Sequence, residues 1–126
     1  MNEDIKRRLE QIDTEYLIWI IYFIIIGLSM YGNTFEKKYF LYNDQEAKEK
    51  YRQINTFVFI VAVIIYSYFV YDNYGDLKSL NEFDSEKTKF LTELSFFATC
   101  LVFISGVIFL YIIVNDPNID TEIAFS

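Results

Sequence analysis

Three long stretches without Asp, Glu, Lys or Arg dominate the pattern of hydrophobic and polar positions in this chain. They cover residues 16–35, 53–71 and 94–115 and are 20, 19 and 22 residues long. An α-helix rises about 1.5 Å per residue, so roughly 20 residues cross a hydrocarbon layer of about 30 Å. None of the stretches alternates polar with apolar residues, as a barrel strand does. The pattern predicts an all-α integral membrane protein with three transmembrane helices, about 16–35, 53–72 and 90–115.

The rest of the chain is too small to bury three helices that are apolar all round. It amounts to 65 residues in pieces of 15, 17, 22 and 11. Helices of this kind are buried in protein or in lipid, and these short pieces cannot form the protein core required. We therefore expect one membrane domain over residues 1–126, with short loops and a lipid bilayer as its surroundings.

The first 15 residues suggest an amphipathic helix that lies at the membrane surface. Ile5, Leu9 and Ile12 are spaced by four and three residues, which places them on one helical face among charged neighbours. The alternative is a short solvated extension of the first span. A cleaved signal peptide is disfavoured because five acidic residues share this segment with its basic ones.

The expected helix ends follow from capping residues. Asn43 with Glu46 three residues later resembles a capping box, so the second helix should start there. It should end within 72–75, where an Asn and a Gly can adopt left-handed conformations. The third helix should start within 81–85 and stop at 115–117, where a proline ends it.

The basic residues are divided almost equally between the two sides of the membrane, so their number hardly favours either orientation of the chain. The N-terminal segment and the second connection carry six basic residues, whereas the first connection and the C-terminal segment carry five. The C-terminal segment has none of these, and the N-terminal ones lie close to the first span. The positive-inside rule then favours an N-in, C-out topology.

Composition excludes several classes of function. The formal net charge is −7, with one Cys and no His. A chain without His lacks the commonest general base and metal ligand, and one Cys cannot build a Cys-based zinc site. An acidic chain without a basic cluster is unsuited to nucleic acid. We therefore predict no catalytic site, no metal, no cofactor and no nucleic-acid partner, and we expect a protein that is not an enzyme.

A stripe of small and polar residues follows one face of the third helix. Its members are spaced by three or four residues, and Ala98 and Ser105 widen it: Thr92, Ser95, Thr99, Val102 and Gly106. Small residues let helix backbones approach, and hydroxyl groups can form hydrogen bonds across the contact. The stripe is interpreted as a helix-packing face, within the chain or between copies. The alternative interpretation is the lining of a pore.

Glu93 is the charged residue nearest to the interior of the third span. In an oligomer, several copies of this carboxylate would form a ring that attracts cations. The competing interpretation is a carboxylate at the membrane interface that pairs with Lys89 or faces lipid headgroups.

A resemblance to other proteins rests on the frequent Ile, Asn, Tyr and Lys and on two stretches of the chain, ISGVIFLYIIVNDPNIDTEIAFS and YFVYDNYGDLKSL. In residue usage and in these stretches, the chain resembles small three-span membrane proteins of low-GC Gram-positive bacteria, a group without an assigned activity. The resemblance implies a bacterial cytoplasmic membrane and no site residues.

The expected function is that of a non-enzymatic interaction or regulatory subunit that self-associates through its third helix, as a homo-oligomer or with a membrane-protein partner. The alternative is an oligomeric pore, a channel or membrane-permeabilising effector, with Glu93 and the Thr92, Ser95 and Thr99 positions in its lumen.

Overall fold

Three α-helices make up the regular structure of residues 2–116, the part of the chain that the computed structural model describes. They are α1 (Glu3–Tyr42), α2 (Gln45–Lys78) and α3 (Glu86–Asn115). Each is long and apolar enough to cross a membrane, by length and composition. The predicted all-α class is confirmed, as is the presence of three helices of this length and apolarity.

The N-terminal segment is the first part of α1 rather than a separate helix. The side chain of Asn2 caps α1 by accepting a hydrogen bond from the backbone nitrogen of Asp4 at 2.9 Å. From Glu3 onward the helix is unbroken through Tyr42. The separate surface helix predicted from Ile5, Leu9 and Ile12 is therefore wrong, and the continuous extension is correct. Strong helix formers fill this segment, and no Gly or Pro interrupts it before residue 27.

A tight turn of two residues joins α1 to α2. Asn43 ends α1 in the left-handed conformation, with φ 53° and ψ 39°, and its backbone nitrogen donates to the Tyr39 carbonyl at 2.8 Å. The cap of α2 is Asp44, whose Oδ1 accepts from the backbone nitrogens of Glu46 at 3.0 Å and Ala47 at 3.2 Å. The expected cap at Asn43 is wrong by one residue, since Asn43 already terminates α1.

The second helix runs past its expected end. Residues 72–75 are helical, and α2 continues to Lys78. Neither Asn73 nor Gly75 has a positive φ angle. The Asn73 side chain instead donates from Nδ2 to the Phe69 carbonyl at 2.9 Å, one turn back, which is compatible with a helix interior.

The third helix starts where the sequence predicts. Ser85 is its cap, and its Oγ accepts from the backbone nitrogen of Thr88 at 3.1 Å. Just before it, the Asn81 backbone nitrogen donates to Asp84 Oδ2 at 2.9 Å and forms a compact turn. The last helical residue is Asn115, as expected. The proline and the acidic segment after it lie outside the described residues.

The packing divides into two compact units with a boundary inside α2. The first unit extends to Ile54, and the second begins at Asn55. The buried residues of α2 are spaced by three or four positions, except that Val58 and Phe59 are adjacent, so they form one helical face: Ala47, Tyr51, Asn55, Val58, Phe59, Ala62 and Ile65. Most of the apolar surface is exposed, because only 11%, 28% and 11% of the most apolar window is buried in α1, α2 and α3.

Candidate functional site

The contact between α2 and α3 in the second unit is built on a regular repeat. The positions of α3 that are buried or half-buried on this side alternate in steps of four and three: Thr92, Phe96, Thr99, Phe103, Gly106, Leu110 and Ile113. A repeat of this kind keeps one seam facing a partner helix along its length. Phe96 lies 5.9 Å from Tyr74, and Phe109 lies 5.9 Å from Phe59, between ring centroids. The two helices therefore run antiparallel.

Gly106 is the point of closest approach in this seam. A Cβ atom built on it would lie 2.9 Å from Cδ2 and 3.1 Å from Cε2 of Tyr66, and 3.3 Å from a methyl group of Val63. Carbon atoms do not approach to 2.9 Å without strain, so the Tyr66 ring occupies the space that any side chain would need. The sequence singled out Gly106 as a packing position, but it did not identify Tyr66 as the group that covers it.

A hydrogen bond between side chains links α2 and α3. The Ser95 hydroxyl donates to Asn73 Oδ1 at 2.8 Å, while the Asn73 amide nitrogen is held by the Phe69 carbonyl. The amide is therefore oriented by its own helix and presents its oxygen to α3. Sequence reasoning placed Asn73 at a helix end and missed this role. The available signal was a polar amide two residues after the end of an uncharged stretch.

The other members of the small-polar stripe have different surroundings. The Thr92 hydroxyl donates to the Thr88 carbonyl and the Thr99 hydroxyl to the Ser95 carbonyl, both at 2.8 Å. A hydroxyl proton that is hydrogen-bonded to the previous turn of its own helix is not available for a hydrogen bond to a neighbouring helix. Val102 is 46% exposed and lies beside the seam. The structure thus brings Ser95 and Gly106 against α2 and leaves Val102 on the surface.

Glu93 is exposed on α3, two turns from its start. Lys89, its suggested partner, instead pairs with Glu86, with 3.7 Å between Nζ and Oε1. Within residues 2–116, no three metal-ligating side chains lie together. Cys100 is half-buried and reduced.

A second polar site lies in the first unit, at the turn between α1 and α2. Two ammonium groups from different helices approach one aromatic ring: Lys38 Nζ lies 5.7 Å and Lys50 Nζ 5.4 Å from the centroid of Phe35. Lys48 Nζ lies 5.7 Å from the ring of Tyr39. These distances are those of cation–π contacts.

An open cavity of about 190 Å³ lies beside these groups. Its walls come from both helices and from the turn, and they carry positive and negative groups together: Phe35, Lys38, Asp44, Glu46, Ala47 and Lys50. Lys50 also forms an ion pair with Glu46 at 4.0 Å. Sequence reasoning missed this site, because it treated the basic residues here only as a count for topology.

Comparison with protein families, curated proteins and solved structures finds no match to this chain. The candidate sites consequently rest on packing, charge and hydrogen bonding in the chain itself.

Proposed function

We propose that this chain is a multi-pass protein of a bacterial cytoplasmic membrane, oriented N-in and C-out, that acts as a non-enzymatic interaction or regulatory subunit. The observation that carries the proposal is the surface of α3. It is the most apolar of the three helices, yet only 11% of its most apolar window is buried. Such a surface suits lipid and a neighbouring transmembrane helix.

We further propose that self-association uses the edge of α3 next to its seam with α2. Ser95 and Gly106 are engaged by α2 and are not offered to another copy. The remaining small positions, Ala98, Val102 and Ser105, are exposed and spaced by four and three residues. Small side chains at this spacing let a second helix approach closely. This edge is therefore the part of the predicted stripe that favours a contact between copies.

Cysteine crosslinking in reconstituted vesicles tests this contact. In a Cys100→Ala background, Val102→Cys should form a disulfide-linked dimer with a lipid-soluble oxidant. Ile104→Cys is the matched control, since Ile104 is 51% exposed against 46% for Val102 and lies about 200° around the helix. A dimer at position 102 with little at 104 is the expected result. Equal crosslinking at both positions, or none at either, would contradict the proposal.

The same vesicles separate a pore from an interaction subunit. One observation favours a pore, which is the exposed carboxylate of Glu93. Against it, the hydroxyl protons of Thr92 and Thr99 are bonded to their own helix and do not point to a lumen. We expect no ion flux across the vesicle membrane. Flux that Glu93→Gln weakens would replace the proposed function with the pore.

A further inference from the structure

The cavity at the turn between α1 and α2 lies at a defined depth if the chain spans a bilayer as proposed. Phe35 is the last residue of the first uncharged stretch, and Lys50 comes three residues before the second. The Phe35 ring therefore marks the end of the hydrocarbon layer. The ammonium groups above it lie at the level of the lipid headgroups, where aromatic and basic residues are enriched.

Two positive side chains from different helices line this cavity. The ammonium groups of Lys38 and Lys50 face the same ring from two helices, at 5.7 and 5.4 Å from its centroid. Cation–π contact attracts each of them to the ring, but it does not neutralise the pair. Glu46 approaches Lys50 to only 4.0 Å, and its side chain is 82% exposed, so this ion pair is weak. A phosphate in the cavity that both lysines line would be attracted by both ammonium groups.

The negative groups of the cavity determine which phosphate fits. Asp44 and Glu46 line the same walls. The position of Asp44 is set by its cap, since its Oδ1 accepts two backbone hydrogen bonds. A headgroup with only negative charge would meet these carboxylates. A headgroup that combines a phosphodiester with a primary ammonium would satisfy both signs.

The size of the cavity agrees with a headgroup of this kind. The cavity of about 190 Å³ is large enough to take a small polar group. The cavity is open, and acyl chains attached to the phosphate could leave it toward the hydrocarbon layer past Phe35.

We propose that this cavity binds the zwitterionic headgroup of an aminophospholipid. The phosphate lies against Lys38 and Lys50, and the primary ammonium lies against Asp44 and Glu46. Charge-assisted hydrogen bonds from ammonium to phosphate and to carboxylate supply the affinity. The quaternary ammonium of a choline headgroup has no N–H to donate, and a glycerol headgroup has no positive charge, so both bind less well.

Native mass spectrometry of the full chain in detergent tests the proposal, with phosphatidylethanolamine, phosphatidylcholine and phosphatidylglycerol of identical acyl chains as probes. The wild type should retain phosphatidylethanolamine best. Lys38→Gln should lower its retention roughly fivefold, as expected for a partly exposed ion pair. Lys37→Gln is the matched control, because Lys37 is the exposed neighbour that does not line the cavity. It should leave retention unchanged.

Asp44→Asn tests the selectivity without removing the helix cap, since Asn caps a helix as well as Asp does. It should shift the preference from phosphatidylethanolamine toward phosphatidylglycerol. Equal retention of the three lipids by the wild type, or equal loss with Lys37→Gln and Lys38→Gln, would overturn the proposal. Binding of free phosphoethanolamine without binding of phosphatidylethanolamine would show that the ligand of the cavity is not a lipid.

This inference depends on the proposed membrane location, and the two can fail separately. Resistance of the vesicle-bound chain to alkaline extraction reports membrane insertion. A chain that resists extraction and shows no headgroup preference would refute the cavity proposal alone. A chain that is extracted would refute the proposed function as well.

Discussion

Two glycines lie at helix crossings of this protein, one in each compact unit, and they meet very different neighbours. In the first unit a Cβ atom on Gly32 would lie 3.2 Å from the Cγ2 methyl group of Ile54. In the second unit a Cβ atom on Gly106 would lie 2.9 Å from the ring of Tyr66. A methyl group at the edge of a side chain can move by a few tenths of an ångström. At Gly106 the obstacle is the Tyr66 ring, which has to move as a whole, and a Val63 methyl group lies 3.3 Å from the same Cβ position.

The difference teaches where a glycine is required and where it is merely accommodated. At Gly106 two ring atoms and a Val63 methyl group converge within 3.3 Å, so the crossing distance between α2 and α3 depends on the missing side chain. At Gly32 the next contacts are at 3.7 and 3.9 Å, which is ordinary packing. At Gly27, in contrast, nothing lies within 4 Å of the Cβ position.

The largest effect is expected for Gly106→Ala. The added methyl group must displace the Tyr66 ring or separate α2 from α3, and overpacking of this kind costs about 1–3 kcal/mol. Unfolding of the purified chain in mixed micelles with increasing SDS, followed by circular dichroism, measures the change in the free energy of unfolding. Gly27→Ala is the control and should lose no stability. An unchanged transition for Gly106→Ala would show that the seam is not closely packed.

A smaller effect is expected for the hydrogen bond of the same seam. Asn73→Ala, Ser95→Ala and the double variant form a thermodynamic cycle for the bond between Ser95 Oγ and Asn73 Oδ1. Side-chain hydrogen bonds between transmembrane helices couple by about 0.6 kcal/mol on average in such cycles. The same SDS titration supplies the four free energies. Strict additivity of the two single changes would mean that the bond contributes nothing to stability.

The sequence predicts the helices better than their ends. An uncharged run of about 20 residues is a strong signal, and all three such runs lie inside helices of the structure. Segments 36–42 and 72–78 contain charged residues and are also helical, because an uncharged run marks an apolar stretch and not the limits of a helix. Charged side chains such as Glu and Lys are good helix formers. The cap at Asp44 was missed since Asn43 and Asp44 are both capable residues and only the turn geometry decides between them.

The candidate sites were less predictable than the helices. The small-polar stripe of α3 was visible from its spacing, but which side of it meets α2 depends on the rotation of both helices. That rotation pairs Ser95 with Asn73 and leaves Val102 exposed. The cavity at the turn needs Lys38 and Lys50 to converge from two helices, and no spacing along one helix contains this information.

The smallest effect is expected for Gly32→Ala, which sharpens the comparison between the two crossings. The methyl group needs Ile54 to shift by a few tenths of an ångström, while alanine lowers the conformational cost that glycine imposes on a helix, by about 0.5–1 kcal/mol. The two terms oppose each other, so the free energy of unfolding should stay within about 0.5 kcal/mol of the wild type. The SDS titration that tests Gly106→Ala measures this value on the same scale. A loss at position 32 as large as that at position 106 would remove the contrast, because an aliphatic neighbour would then be as rigid as an aromatic one.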